Sequence, residues 1–245
     1  MINKLPRSLI ETATKMIIGI RSNKDLPKPN FLCGIKYIKE LSESIVDWIK
    51  VESSKNPHEF KYLQDEHHTN LTDDEKKSVR GYTYNSTPIH HHINSNIGSK
   101  IVDIHDINGD MVHQVNLDHL DSAINKNKLS HDFITYSGIS EEPDFDSGNF
   151  RVKPSEYISS STDPIVAHMF ASEHPNKPYH ILKIHNLKGQ YGLYVGHNRD
   201  LTNTPLEFEY IIPRNSVLQI HPEPENIHND KNELTHKIWT VHRLG

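Results

Sequence analysis

The sequence is poor in cysteine, since Cys33 is the only one among its 245 residues. A lone cysteine cannot form a disulfide within its own chain, which excludes a small domain held together by disulfides. No charged-then-apolar signal segment opens the chain, and the apolar run from Met16 to Ile20 is far shorter than the roughly 20 residues of a membrane-spanning helix. These features predict a protein of the reducing cytoplasm with no membrane segment.

Apolar residues are also scarce, at 34% of the chain, and the formal net charge is −5. A chain of this length still buries a substantial core, so the composition predicts a folded protein with a strongly polar surface. The negative charge argues against a protein that coats duplex nucleic acid through a general positive field. Because a local basic groove remains compatible with this charge, nucleic acid stays open as a substrate.

The 19 histidines raise the question of a metal site, but their spacing does not favour one. The clusters at 67–68 and 90–92 consist of adjacent residues, whereas ligands on one helix face are three or four residues apart. Segment 106–110 resembles the start of a calcium loop, yet Met111 stands where that loop needs glycine. We therefore expect no metal. The chain also lacks a Walker sequence and the glycine motif of Rossmann dinucleotide binding.

Apolar periodicity predicts two N-terminal helices, at 7–20 and 35–51, and a third helix that begins with Thr72 as N-cap. Asn108-Gly109 separates two alternating segments and predicts a β-hairpin. Short runs rich in β-forming residues follow at 133–136, 180–184, 210–212, 217–220 and 238–241. This order predicts an α+β fold with mostly antiparallel strands, and we divide the chain into an N-terminal helical segment, 1–55, and a second, larger domain, 56–245.

Three short segments in a fixed order carry the functional signal. They are Tyr136-Ser137-Gly138 after a predicted strand, the serine run 157–164 leading into the helical stretch 165–171, and Leu206 to Arg214, which contains Glu207-Phe208-Glu209. Each segment alone is weak, because a Glu-x-Glu is commonly a solvated strand face and a serine run is commonly a loop or a helix cap. Their order therefore carries the functional interpretation.

In this order the segments resemble the R-S-E class of mono-ADP-ribosyltransferases, which includes clostridial toxins and enzymes of T-even-like bacteriophages. Two upstream helices resemble the class as well, one with Tyr82-Thr83 and Ile93-Asn94 and one at 119–124. The resemblance covers most of the chain. It implies a core of two packed, mostly antiparallel sheets preceded by N-terminal helices, with NAD as substrate and ADP-ribose transferred to a macromolecular acceptor.

The chemistry of NAD cleavage explains why two carboxylates would be needed. The nicotinamide–ribose bond breaks through an oxocarbenium-like centre, which a nearby carboxylate stabilises, and Glu209 is our candidate. Residues two apart on an extended segment face the same side, so Glu207 is expected to share the pocket and to align or deprotonate the nucleophile. Two neighbouring carboxylates also raise one another's pKa. Ser159 is expected to fix the Glu209 rotamer.

The NAD pocket is predicted from further residues of the same three segments. Gly138 is expected to let the backbone approach nicotinamide, and Phe170 or Tyr136 to stack on a cofactor ring. Ser137 stands where much of the class has arginine, so another cation must bind the phosphates, and we expect Arg151 to supply it. The predicted cofactor-binding residues are Tyr136, Ser137, Gly138, Arg151, Ser159, Ser161 and Phe170.

The resemblance to phage enzymes implies an effector that acts on host targets in the host cytoplasm. It favours protein arginine as the acceptor, while other side chains and RNA remain open. Two other functions also remain open at this point. One is a catalytically weak protein that uses the fold as a binding module, which the missing arginine at Ser137 favours. The other is an NAD glycohydrolase that transfers ADP-ribose to water.

Overall fold

The structure is a computed structural model that describes residues 43–53, 68, 70–84, 92–105, 108–143, 150–173, 177–196, 198–202, 204 and 207–244. Its helices are α1 (Glu43–Ser53), α2 (Asp73–Tyr82), α3 (Leu117–Asn125) and α4 (Pro164–Ser172). Its strands are β1 (Ile101–His105), β2 (Met111–Asn116), β3 (Phe133–Ile139), β4 (Arg151–Val152), β5 (Ile158–Ser161), β6 (Tyr179–Asn186), β7 (Leu193–Tyr194), β8 (Glu209–Ile212), β9 (Val217–Ile220), β10 (Glu225–His228) and β11 (Leu234–Leu244).

The predicted N-terminal helices are described only in part. The helix expected at 7–20 lies outside the described residues, and of the helix expected at 35–51 the structure describes α1, Glu43–Ser53. No helix in the described ranges is long and apolar enough to cross a membrane. The division of the chain at residues 55 and 56 stays a prediction.

Local capping chemistry starts α2 where the sequence predicts it. Thr72 accepts a hydrogen bond from the backbone of Glu75, and the Glu75 side chain accepts one from the backbone of Thr72, which completes a capping box. Burial acts to raise the pKa of Glu75, but hydrogen bonds from Lys126, Ser122 and Thr72 outweigh it and lower this pKa to about 2. The same carboxylate therefore caps α2 and ties it to α3.

The predicted hairpin is present as β1 and β2, which pair antiparallel. Gly109 lies in the turn with a φ of +85°, a left-handed conformation that glycine adopts at no steric cost. Behind the hairpin, Gly81 of α2 lies so close to Val115 that a Cβ would come within 2.7 Å of its methyl group. The hairpin therefore packs directly on α2, next to the larger sheet.

The larger sheet contains nine described strands in the order β4-β9-β11-β6-β3-β5-β8-β7, with β10 paired to β11. The pairings are antiparallel apart from β11 with β6. Among the described residues, the single pair Tyr136 and Ser161 joins β3 to β5 and divides the sheet into two parts. The parts pack face to face, with Phe133 edge-on to Tyr210 at 4.9 Å between ring centroids. The α+β fold with two packed, mostly antiparallel sheets is confirmed.

Helices α1 and α4 cover the other face of the β3-containing part. Ile45 and Ile49 of α1 share an apolar cluster with Ile165 of α4 and with Ile181 and Ile238 of the sheet. A second cluster joins α2, α3 and the hairpin to β7 and β8. Members of both clusters, among them Val166 of the first and Tyr157 of the second, line a cleft near the junction of β3 and β5.

Candidate active site

A cleft of about 430 Å³ opens at the junction of the two sheet parts. Its walls come from the end of β3, from β5, from the segment before β5, from α4 and from the start of β8. The predicted site residues that line it are Tyr136, Ser137, Gly138, Ser159, Ser161, Phe170, Glu207 and Glu209. The three segments singled out in the sequence, which extend from residue 136 to residue 214, therefore all contribute residues to one cleft.

Ser159 and Glu209 face one another across neighbouring strands. The Ser159 hydroxyl donates to Oε1 of Glu209 at 2.5 Å, and the Glu209 residue is only 4% exposed. Burial, and after it the negative charge of Glu207, raise the pKa of Glu209, the Ser159 hydrogen bond lowers it, and the net result is a pKa of about 8. A buried carboxyl held in one rotamer beside a cleft is suited to stabilise a developing positive charge.

Glu207 shares the cleft with Glu209, but for a reason that differs from the predicted one. Strand β8 begins only at Glu209, and Phe208 between the two has a φ of +49°. The pair is therefore brought together by a left-handed residue, which is uncommon outside glycine, and not by strand alternation. Thr204 donates its hydroxyl to Oε2 of Glu207 at 3.0 Å, and its carbonyl accepts from the Glu207 backbone at 3.0 Å.

The serine run supports the glutamate segment through its hydroxyl groups. Ser161 donates to the backbone carbonyl of Glu207 at 2.7 Å and accepts from the backbone N–H of Asp163 at 3.0 Å. Ser160, on the alternate face, donates to the carbonyl of Tyr210 at 2.9 Å. The run thus holds both strand β8 and the segment before it.

The Tyr136 ring is turned away from the cleft, so its predicted stacking on a cofactor does not fit the structure. The ring is fully buried and lies edge-on to Trp48 at 5.8 Å, and its hydroxyl donates to Glu52 at 2.8 Å. Because the ring contacts α1, we attribute the contribution of Tyr136 to the cleft lining to its backbone. Of the two aromatic residues predicted to stack, Phe170 is only partly buried and lines the cleft, so it remains the candidate.

Gly138 lines the cleft, and the packing of α4 gives a reason for glycine besides the approach of nicotinamide, which stays a prediction. A Cβ at this position would lie 2.2 Å from the carbonyl oxygen of Ala167 and 2.5 Å from the backbone nitrogen of Ala171. Both atoms belong to the backbone of α4, which cannot move aside like a flexible side chain. Gly138 is therefore required by the close packing of α4 on β3, before any ligand is considered.

Arg151 is not brought to the cleft. Its Nε donates to Oε1 of Gln219 at 2.9 Å, and its neighbour Val152 faces the cleft in its place. Successive residues of a strand face opposite sides, so Arg151 lies on the far face of β4. Ser137 does line the cleft and donates its hydroxyl to the carbonyl of Ser159 at 2.8 Å. Among the described residues that line the cleft, none is lysine or arginine.

Sequence reasoning missed several residues that line the cleft, among them Tyr82, Asn94 and Tyr157. Their signal was present, since the Tyr-Thr and Ile-Asn pairs were matched to the resembling class without a role. Asn94 donates to the carbonyl of Tyr157 at 3.3 Å, while its buried Oδ1 has no hydrogen-bond partner among the described residues. Tyr82 is buried close enough to Glu209 that burial and then this carboxylate raise its tyrosyl pKa.

Tyr157 is held in the cleft wall by the turn that follows the glutamates. Its hydroxyl donates to Asp121 at 2.6 Å, and Asp121 also forms an ion pair with Arg214. The Arg214 guanidinium lies over the Tyr157 ring at 5.9 Å from its centroid. The Pro213-Arg214 turn therefore links α3 to the cleft wall.

Metal ligands do not cluster in the described part of the chain, where no three His, Cys, Asp or Glu side chains come together to hold an ion. His68 contacts the backbone carbonyl of Tyr194 at 2.9 Å, and His92 contacts that of Asp103 at 3.2 Å. The remaining members of the two histidine clusters, His67, His90 and His91, lie outside the described residues.

Known structures of bacterial toxins share this fold. Plx2a, an ADP-ribosyltransferase toxin from Paenibacillus larvae, is 17% identical, with a TM-score of 0.51 over 76% of this chain and 92% of that one. The Clostridium limosum C3 exoenzyme is 18% identical, with a TM-score of 0.51 over 80% and 95% of the two chains. C3stau2 from S. aureus, solved with NAD, is 17% identical, with a TM-score of 0.50 over 79% and 95%.

At these identities the structural likeness establishes the fold alone, and no curated protein matches the sequence. The family model of the ADP-ribosyltransferase exoenzymes matches residues 57–240, well over half of the chain. That match includes the whole of the cleft described above. The chain therefore belongs to the ADP-ribosyltransferase exoenzyme family.

Proposed function

We propose that this protein breaks the nicotinamide–ribose bond of NAD and transfers the ADP-ribose to a macromolecular acceptor. The observation that carries the proposal is the buried Glu209 carboxyl, held by the Ser159 hydroxyl in a cleft that it shares with Glu207. The structure solved with NAD among the similar folds supports NAD as the substrate.

The proposed reaction assigns one step to each glutamate. The bond between the ribose C1′ and the nicotinamide nitrogen breaks, and its electron pair leaves with neutral nicotinamide. The ionised carboxylate of Glu209 holds the ribose hydroxyl and stabilises the oxocarbenium centre that remains. Glu207 takes a proton from the acceptor as the new bond to C1′ forms.

The electrostatics of the cleft support this assignment. The protein's own residues raise the pKa of Glu209 to about 8. The positive charge of the nicotinamide ring of bound NAD favours the ionised carboxylate, because an opposite charge nearby lowers the pKa of an acid. NAD would thus promote the form of Glu209 that its own cleavage requires.

Protein arginine is our favoured acceptor and RNA the other candidate, in a bacterial host whose cytoplasm the protein would enter as a phage effector. Glu156 and Glu207, which line the cleft, provide negative charge that suits a cationic side chain. The single cysteine suits a reducing compartment. NAD glycohydrolysis is the second candidate function, because the same pair of glutamates would activate water. A binding module without turnover is the third, because the cleft-lining residue that replaces the class arginine is Ser137.

Labelled NAD and a bacterial lysate would separate these functions. The protein is incubated with NAD labelled in its adenylate part and with lysate that is untreated, protease-treated or nuclease-treated. Label that disappears with protease identifies a protein acceptor, and label that disappears with nuclease identifies RNA. Free ADP-ribose alone would favour the glycohydrolase. Glu209→Gln serves as the inactive control and Glu225→Gln, an exposed residue of β10, as the matched neutral one. Absence of both labelling and nicotinamide release would overturn the enzyme proposal.

A further inference from the structure

Helix α1 lies outside residues 57–240, which the family model matches, yet one of its side chains reaches the strand that forms the cleft wall. Glu52 is 3% exposed. It accepts a hydrogen bond from the Tyr136 hydroxyl at 2.8 Å. It also forms an ion pair with Lys183, at 2.9 Å between the ammonium nitrogen and the carboxylate oxygen. Trp48, one turn earlier in α1, lies edge-on to the Tyr136 ring. The Tyr136 side chain is thus held by two residues of α1.

A carboxylate buried to this extent needs specific partners. Removing a carboxylate from water is unfavourable, and an ion pair and further hydrogen bonds must offset the lost hydration. Lys183 supplies the charge, with its side chain only 14% exposed, and Tyr136 supplies the hydrogen bond. Any displacement of α1 would leave the buried Glu52 carboxylate without these partners, which is unfavourable. The two contacts therefore fix the position of α1 relative to β3, which carries Tyr136, and β6, which carries Lys183.

Tyr136 lies at the junction of the two sheet parts. It forms with Ser161 the single described pair that joins β3 to β5. The next residue, Ser137, donates its hydroxyl to the carbonyl of Ser159. Ser159 in turn donates to Glu209. A shift of β3 at Tyr136 would therefore be passed through one strand pair and two hydrogen bonds to the Glu209 carboxyl.

We propose that Glu52 is a positioning residue for the reaction, because through the Tyr136 hydroxyl it fixes the junction of β3 and β5 and holds Ser159 against Glu209. This inference rests on the proposed function for its effect on turnover. Its effect on the Glu209 environment is independent of turnover. Helix α1 would then be part of the catalytic unit, although the family match begins after it.

The test uses Tyr136→Phe, which removes one hydroxyl and leaves the ring packed on Trp48. We expect the kcat for nicotinamide release to fall about tenfold with KM nearly unchanged, because a small misplacement of a catalytic group lowers the rate without removing substrate contacts. In parallel, carboxyl NMR of the full chain should show Glu209 titrating at higher pH, because a displaced Ser159 donates less well. Amide exchange at Ser159–Ser161 should become faster.

Two further variants separate positioning from simple loss of stability. Gln190→Ala removes a buried hydrogen bond to the Arg243 carbonyl, away from the β3–β5 junction. It should lower the melting temperature without changing kcat or the Glu209 titration. Glu52→Gln retains an oxygen that accepts from Tyr136, so it should impair kcat less than Glu52→Ala.

The outcomes are distinct for the two proposals. Wild-type kcat and wild-type Glu209 titration in Tyr136→Phe would overturn the positioning role. An equal loss of activity in Gln190→Ala at matched stability would overturn it as well. If the wild-type protein releases no nicotinamide, the proposed function fails, and the Glu209 titration and amide exchange still decide whether α1 holds the site.

Discussion

Ser159 and Glu209 are joined by a 2.5 Å hydrogen bond from the serine hydroxyl to the buried carboxyl, across the paired strands β5 and β8. The bond fixes one rotamer of Glu209. The burial of this residue opposes the negative charge that the proposed reaction requires of its carboxylate. The pair therefore combines a raised pKa with a fixed geometry, and both properties can be measured.

Replacement of the two glutamates should separate the two halves of the reaction. Glu209→Gln removes the charge opposite the oxocarbenium centre and should lower NAD cleavage on the order of 10²–10³-fold. Glu207→Gln should spare nicotinamide release and abolish labelling of the acceptor, because it removes only the proton acceptor for the nucleophile. Both quantities are read from one assay with labelled NAD, and the reverse order would show that the roles of the pair are exchanged.

The pH dependence of NAD cleavage should follow the ionisation of Glu209. The pKa of this residue is raised to about 8, and the ionised form is the active one. The kcat/KM for nicotinamide release should therefore rise through about pH 8 and level off above it. Ser159→Ala removes the donor that lowers this pKa, so its rise should move to higher pH. A profile that falls between about pH 6 and about pH 8 would contradict the assignment.

Stability should depend on pH with the opposite sign. The folded protein holds the Glu209 proton up to about pH 8, whereas the unfolded chain loses it near the ordinary pKa of a glutamate. The favourable contribution is fully present below the unfolded pKa and is lost as the pH rises through the folded one. Glu209→Gln cannot ionise, so its melting temperature relative to wild type should increase from about pH 5 to about pH 9. A constant difference would show that Glu209 titrates normally.

Gly138 provides a test of the α4 packing. Gly138→Ala would place a methyl carbon 2.2 Å from the Ala167 carbonyl oxygen, and should destabilise the protein by about 3 kcal/mol. Gly98→Ala is the matched control, because no non-neighbouring atom of the described residues lies within 4 Å of its added Cβ, and it should change the free energy of unfolding by less than about 0.5 kcal/mol. Chemical denaturation of both variants measures the difference, and equal stabilities would contradict the packing argument.

Arg151 tests which face of β4 meets the ligand. Because its side chain contacts Gln219 on the far face, Arg151→Ala should leave the Kd for NAD within about twofold of wild type. Phe170→Ala, at a residue that lines the cleft, should weaken binding about tenfold through lost stacking. Calorimetric titration with NAD compares the two variants. A large loss of affinity in Arg151→Ala would show that Arg151 does bind the phosphates of NAD.

The three segments at Tyr136, Ser159 and Glu209 could be recognised from the sequence because their order is itself a pattern. The left-handed Phe208 could not, since a positive φ at a residue other than glycine depends on contacts from the rest of the fold. Asn94 was part of a matched pair of residues, but its place in the cleft wall depends on its contact with Tyr157, 63 residues later in the chain.

The sequence by itself determined the features that local chemistry decides. These include the capping box at Thr72, the glycine turn of the hairpin and the succession of short strands that makes the fold α+β. Each depends on residues within a few positions of one another, so spacing alone predicts it.

Only the tertiary structure decided what each strand residue faces. The Tyr136 hydroxyl contacts Glu52, α4 packs closely on the backbone at Gly138, and Arg151 lies on the outer face of its strand. The physical reason is that a strand offers two faces, and residues distant in sequence determine which of them is covered.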